Sequence, residues 1–170
     1  MRKTVIGVMG AGEHASPQAV QWARELGSLI AAEGWVLLSG GRDMGVMDAV
    51  SHGAHESDGL VIGIMPGPDA QDASAAVDVA IVTGMKSARN NINVLSSDVV
   101  IACGNTEPGT LSEIALALKA RKPVVLLTED GEARQFLERI GKGMLQPAES
   151  PREAIEQVRH LLSRSHGANV

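Results

Sequence analysis

Short apolar runs alternate with longer stretches of helical period along most of the chain. The runs are Val5–Met9, Trp35–Ser39, Leu60–Met65, Val79–Val82, Val99–Cys103 and Val124–Thr128. Nearly continuous apolar character over so few residues predicts strands buried on both faces, as in a parallel sheet. Between and after them the spacing predicts helices over residues 17–32, 45–57, 87–97, 110–120, 132–140 and 151–164. Ser16-Pro17 places a capping hydroxyl before a proline at the first helical position. Ser150-Pro151-Arg152-Glu153 repeats this, with the glutamate completing a capping box. Strand and helix in alternation predict an α/β, Rossmann-like, doubly wound parallel sheet with helices on both faces. The length suits one domain over residues 1–170. Pro66 to Ala76 reads as a small-residue loop and Ser165 to Val170 as a frayed tail.

Composition narrows the partners. Apolar residues make up 44%, yet there are only one Phe, two Trp and no Tyr, so the core is aliphatic and there is no aromatic platform for nucleic-acid bases. The net charge of −5, with Lys and Arg scattered, leaves no basic footprint, so no nucleic-acid partner is expected. Nothing approaches the ~20 apolar residues of a membrane span, and the run after Arg2-Lys3 is cut off by Glu13-His14, so it reads as a strand rather than a signal segment. A lone Cys103 supports neither an internal disulfide nor a cysteine-rich zinc site, which fits a reducing, cytoplasmic setting. Cys103 itself reads as a small buried hydrophobe. His52 and His55 form at most an incomplete metal site on a helix surface, so no metal is expected.

The candidate chemistry lies at the strand ends, where an open parallel sheet binds its ligands. After the first strand, Gly10-Ala11-Gly12-Glu13-His14-Ala15 has the letters of a dinucleotide fingerprint, with His14 a possible contact. The acidic residue that NAD requires after the second strand is missing, since that strand ends in Ser39-Gly40-Gly41. The paired glycines, continuing to Gly45, Val46 and Met47, suit either a phosphate approaching bare backbone or an ordinary tight turn. In the third loop Lys86, Arg89, Asn90 and Asn93 cluster at a predicted helix start capped by Ser87. A cation there opposes the helix dipole by about 0.3–1 kcal/mol, so Arg89 reads either as an anion clamp or as a solvated arginine covering a helix end. The fourth loop offers Gly104, Gly109 and Thr110 to a phosphate, and Glu113 one turn further on. Thr110-Leu111-Ser112-Glu113 equally spells a capping box.

Taken together, Gly40-Gly41 with Gly45 and Met47, Arg89 nine residues before Asp98, and Gly109-Thr110-Leu111-Ser112-Glu113 resemble the Lonely Guy family, formerly labelled lysine decarboxylases. Its members release the base from nucleoside 5′-monophosphates. The resemblance implies that Arg89 and Glu113 match the catalytic pair and Gly109-Thr110 the phosphate loop. Ala88 stands where those hydrolases carry a glutamate, and Cys103 to Pro108 departs from their P-G-G stretch. The region from Gly84 to Asn93, with Leu111 to Lys119, is more similar to the sister branch of molybdenum-cofactor carrier proteins, which bind without hydrolysing. The resemblance therefore implies a small phosphorylated ligand, the molybdenum cofactor or a nucleoside monophosphate, and a homodimer or larger assembly. A phosphoribohydrolase is the alternative activity, and an interaction module without ligand a third reading.

Overall fold

The first apolar run forms β1 (Val5–Gly10), and the other strands spread from it to either side. In the computed structural model, which describes residues 2–167 and the side chains up to residue 164, β1 pairs in parallel with β2 (Val36–Ser39) and with β5 (Val99–Cys103). The chain runs outward through β3 (Val61–Met65) to β4 (Val79–Val82). It then returns across the sheet to β5 and runs outward again through β6 (Val124–Leu127) and β7 (Leu145–Ala148). All pairings are parallel, in the order β4-β3-β2-β1-β5-β6-β7. The reversal makes the gap between the carboxyl ends of β1 and β5 the topological switch point, where connections leave in opposite directions and open a crevice.

Helices cover both faces, as the alternation predicts. On one side α1 (Pro17–Ala32), α2 (Gly45–His55) and α6 (Pro151–Gly167) bury Leu26, Ile30, Val50 and Ile155 against Ile6, Leu37 and Ile101. On the other, α3 (Asn90–Ser96), α4 (Pro108–Lys119) and α5 (Gly131–Gly141) bury Val94, Ile114 and Leu137 against Met9, Val100 and Leu126. Both cores are aliphatic and thioether in character. The α1 cap forms as expected, the Ser16 hydroxyl accepting from the Ala19 amide at 3.1 Å. At α6, Ser150 accepts from the Glu153 amide at 3.2 Å, while the Glu153 carboxylate reaches the Glu149 amide at 2.8 Å, one residue upstream of a standard capping box.

Three expectations need correction. A seventh strand, β7, stands at the sheet edge; Gln146 and Pro147 interrupt its apolar run, and an edge position tolerates a proline that an inner strand would not. The helix expected from Ser87 begins instead as a 3-10 turn over Lys86–Arg89 and becomes α3 only at Asn90, so Ser87 is no cap. The expected tail is helical as far as Gly167, and residues 168–170 lie outside those described. Among the described residues no helix is long and apolar enough to cross a membrane.

Candidate functional site

Beyond the carboxyl ends of β1, β2 and β5 lies a cavity of about 570 Å³, in the size range of small-ligand sites. It gathers residues from all four loops singled out in the sequence. Gly10 at the end of β1 and Gly12 just after it border it, with Gly40 from the β2–α2 connection and Met47 from the first turn of α2. The 3-10 turn contributes Lys86 and Arg89, the first residue of α3 contributes Asn90, and the start of α4 contributes Gly109, Thr110 and Glu113. His14 is also at the wall, whereas His52 and His55 sit on α2 beside Asp48 and Asp78, and the described residues hold no metal-ligating cluster.

Four expected ligand residues are not at the wall. Ser39 is fully buried, its hydroxyl accepting from the Gly41 amide at 3.1 Å and so shaping the turn. Gly41 packs its Cα against Gly63 of β3, and Gly45 starts α2 against the carbonyls of Ala11 and Gly12. Gly104 has a φ of +88°, and a Cβ there would stand 2.3 Å from that of Ala19. These positions carry the loops by close approach of backbone to backbone.

Arg89 is the centre of the polar wall. It lies nearly buried across Gly40, where an added Cβ would come within 2.7 Å of its Nη2. Its Nη1 donates to Asn90 Oδ1 at 2.8 Å and stands 3.5 Å from Glu113 Oε1. Asn90 Nδ2 donates to the Ser112 hydroxyl at 2.8 Å, and that hydroxyl donates to the Gly109 carbonyl at 2.6 Å, so α3 is tied to the first turn of α4. Asn93 Nδ2 donates to Glu113 Oε1 at 2.8 Å. Glu113 therefore forms no capping box: α4 begins at Pro108, Thr110 is its third residue, and the carboxyl faces Asn93 and Arg89. Burial pushes the Glu113 carboxyl up to about 7, although Asn93 and Arg89 both oppose that rise. Burial likewise lowers the Arg89 pKa, with Glu113 opposing the shift and Arg42 adding to it.

Several polar groups are left over. Arg89 Nε and Thr110 Oγ1 are buried without a hydrogen-bond partner, as is Asn93 Oδ1. The N-terminus of α4 has no side-chain cap from Glu107, in contrast to α1 and α5, which Ser16 and Asp130 close. Sequence reasoning missed Arg42, Met44, Asp72 and Glu107, which also line the cavity. Arg42 stands directly after the paired glycines, and a cation between strand end and helix start is the signal that could have found it. Asp72 comes from the loop after β3, whose small residues give no sign of folding back over the strand ends.

Residues 3–155 match the SLOG cluster4 family. The molybdenum cofactor binding protein of the phototrophic bacterium Rippkaea orientalis is similar at 53% identity over 95% of this chain and 99% of that one, with a TM-score of 0.93. The Moco carrier protein of Chlamydomonas reinhardtii is 49% identical over 96% and 99% of the two chains, with a TM-score of 0.89. An uncharacterized protein of Archaeoglobus fulgidus is 44% identical over 127 residues, 75% of this chain and 82% of its own. A match spanning both halves of the sheet and every loop of the cavity makes the chain a member of the SLOG cluster4 family, on the carrier-like side of the Lonely Guy superfamily.

Proposed function

We propose that the chain is a carrier-type protein that holds a small phosphorylated, nucleotide-sized ligand, the molybdenum cofactor, in the switch-point cavity. The observation that carries this reading is the pair of buried, unpartnered polar groups at the wall, Arg89 Nε and Thr110 Oγ1, beside the uncapped start of α4. A buried polar group without a partner costs about 1–3 kcal/mol, and an anionic oxygen of a ligand ends that cost. The partial positive charge at the start of α4 favours the same anion.

In this reading Gly109, Thr110 and Arg89 take the phosphate, with Lys86 adding charge from the rim. Asn90 orients Arg89, while Gly10, Gly12 and Gly40 leave room for the ligand against bare backbone. Met44 and Met47 supply a polarisable wall suited to the ring system. Relatives sharing about half of the residues are a molybdenum cofactor binding protein and a Moco carrier protein, which supports the same cargo here. Glu113, held by Asn93 and partly protonated near neutrality, tunes the charge of Arg89 rather than attacking a sugar.

Thermal shift and calorimetry with the molybdenum cofactor, AMP and molybdate test this. The cofactor should raise the melting temperature, and AMP should yield no free base above a Glu113→Ala control. If none of the three shifts melting at millimolar concentration, the carrier reading is overturned. Glu113-dependent release of base and ribose 5-phosphate would assign the site to a phosphoribohydrolase instead.

A further inference from the structure

The β2–α2 connection carries a second arginine that the site as described leaves idle. Arg42 lines the same cavity as Arg89. Its main chain is fixed on both sides: the Ser74 amide donates to the Gly41 carbonyl and the Asp43 amide to the Asp72 carbonyl, both at 2.9 Å, so that Arg42 faces Ala73 in an isolated antiparallel bridge. The side chain is not satisfied in the same way. Nε is buried with no hydrogen-bond partner, and the guanidinium makes no ion pair with any described residue.

The acidic groups at the wall do not fill that role. Asp72 and Glu13 are exposed at the rim, Glu107 accepts from Asn105 at 3.5 Å, and Glu113 is engaged with Asn93 and Arg89. Arg89 thus has a carboxyl partner while Arg42 has none. The two guanidinium groups act on each other, since the charge of Arg42 contributes to lowering the pKa of Arg89. Two like charges braced toward one cavity are each relieved by an anion that both can reach.

We infer that Arg42 is a second anion-binding residue of this cavity and that the site selects a doubly charged group, a phosphate monoester over a diester of the same body. The inference rests on the phosphate-binding reading above and adds to it the residue that sets the charge of the ligand. A monoester is dianionic above its second ionisation near pH ~6, and a diester keeps one charge, so the second guanidinium distinguishes them.

Affinities of AMP, cyclic AMP and the molybdenum cofactor for wild type, Arg42→Ala, Arg42→Gln and Arg89→Ala test this in slightly alkaline buffer. Wild type should prefer AMP to cyclic AMP. Both Arg42 variants should weaken AMP and the cofactor by about tenfold or more while leaving cyclic AMP nearly unchanged. Their melting temperatures should equal or exceed that of wild type, because the Arg42 head contacts nothing that its loss would orphan and its unpartnered Nε goes with it; the Gln variant retains most of the side-chain volume should the Ala variant fold poorly. If wild type holds AMP or the cofactor, Arg89→Ala weakens it and both Arg42 variants equal wild type, this inference is overturned and the phosphate site stands. A wild-type chain that holds neither overturns both.

Discussion

Two side chains, Arg89 and Glu113, set the electrostatics of the cavity, and each yields a measurable outcome. The Glu113 carboxyl is raised from its ordinary value of 4.5 to about 7, mainly by burial. The folded chain then holds a proton that the unfolded chain has released, so this group's contribution to stability is full below about pH 4.5 and is lost as pH rises through about 7. The size is on the order of 3 kcal/mol at most. Glu113→Gln keeps an acceptor for Asn93 and cannot ionise. Its melting temperature should equal wild type near the acidic end and exceed it in alkaline buffer; parallel profiles would show that Glu113 does not titrate in this window. Arg89→Ala removes a charge-assisted contact worth about 1.5–3 kcal/mol, so phosphate-ligand affinity should drop at least tenfold. Arg89→Lys should recover only part of it, since an ammonium cannot reproduce the fork held by Asn90. Survival of binding in Arg89→Ala would move the site elsewhere.

At the level of elements, the loops after β5 separate two uses of glycine that look alike in sequence. Gly104 has positive φ and faces Ala19, whereas a Cβ on Gly109 meets nothing within 4 Å and projects at the cavity wall. Gly104→Ala should therefore cost about 1–3 kcal/mol of stability, while the folded fraction binds as wild type does. Gly109→Ala should melt normally and bind poorly. A reversal of the two, read by melting temperature and calorimetry, would exchange their roles. The same ambiguity explains which parts of the site were legible. Strands buried on both faces announce themselves as apolar runs, and glycine loops at their ends mark the ligand edge. Gly41, Gly45 and Gly104 carry the letters of a phosphate loop but are required by backbone packing against Gly63, Gly12 and Ala19. β7 was hidden because an edge strand need not be apolar, and Arg42 because a missing partner is a tertiary property. The Thr110–Glu113 box was misleading for a local reason, as Pro108 starts α4 two residues earlier.

For the whole molecule, the exposed apolar surface argues for self-association. Ile114, Ala115, Leu116, Ala117 and Leu118 make the sequence of α4 apolar on more than one face. The structure buries Ile114 and Ala117 and half-buries Leu116 and Leu118, so the outward face is reduced to Leu111 and Ala115. Leu95 of α3, packed beside α4, is 52% exposed and Leu111 is 38% exposed. Scattered exposed leucines need no explanation, but two on helices that pack against each other offer a candidate contact face. A second patch runs along β4, an edge strand whose Val79, Ile81 and Val82 are all exposed. The expected outcome is a dimer or larger assembly, seen by light scattering as a mass well above 17.7 kDa at micromolar concentration. Leu95→Asp combined with Leu111→Asp should return it to a monomer if the α3–α4 patch is the contact, since burying unpaired carboxylates in an interface costs several kcal/mol. Ile81→Lys should do so if the β4 edge is the contact, because an edge lysine blocks strand pairing. If the α3–α4 patch is correct, association stiffens the helix starts that hold Arg89 and Thr110, and the double variant should bind its phosphate ligand more weakly though neither leucine lines the cavity. A wild-type chain that scatters as a monomer would remove both patches from the account.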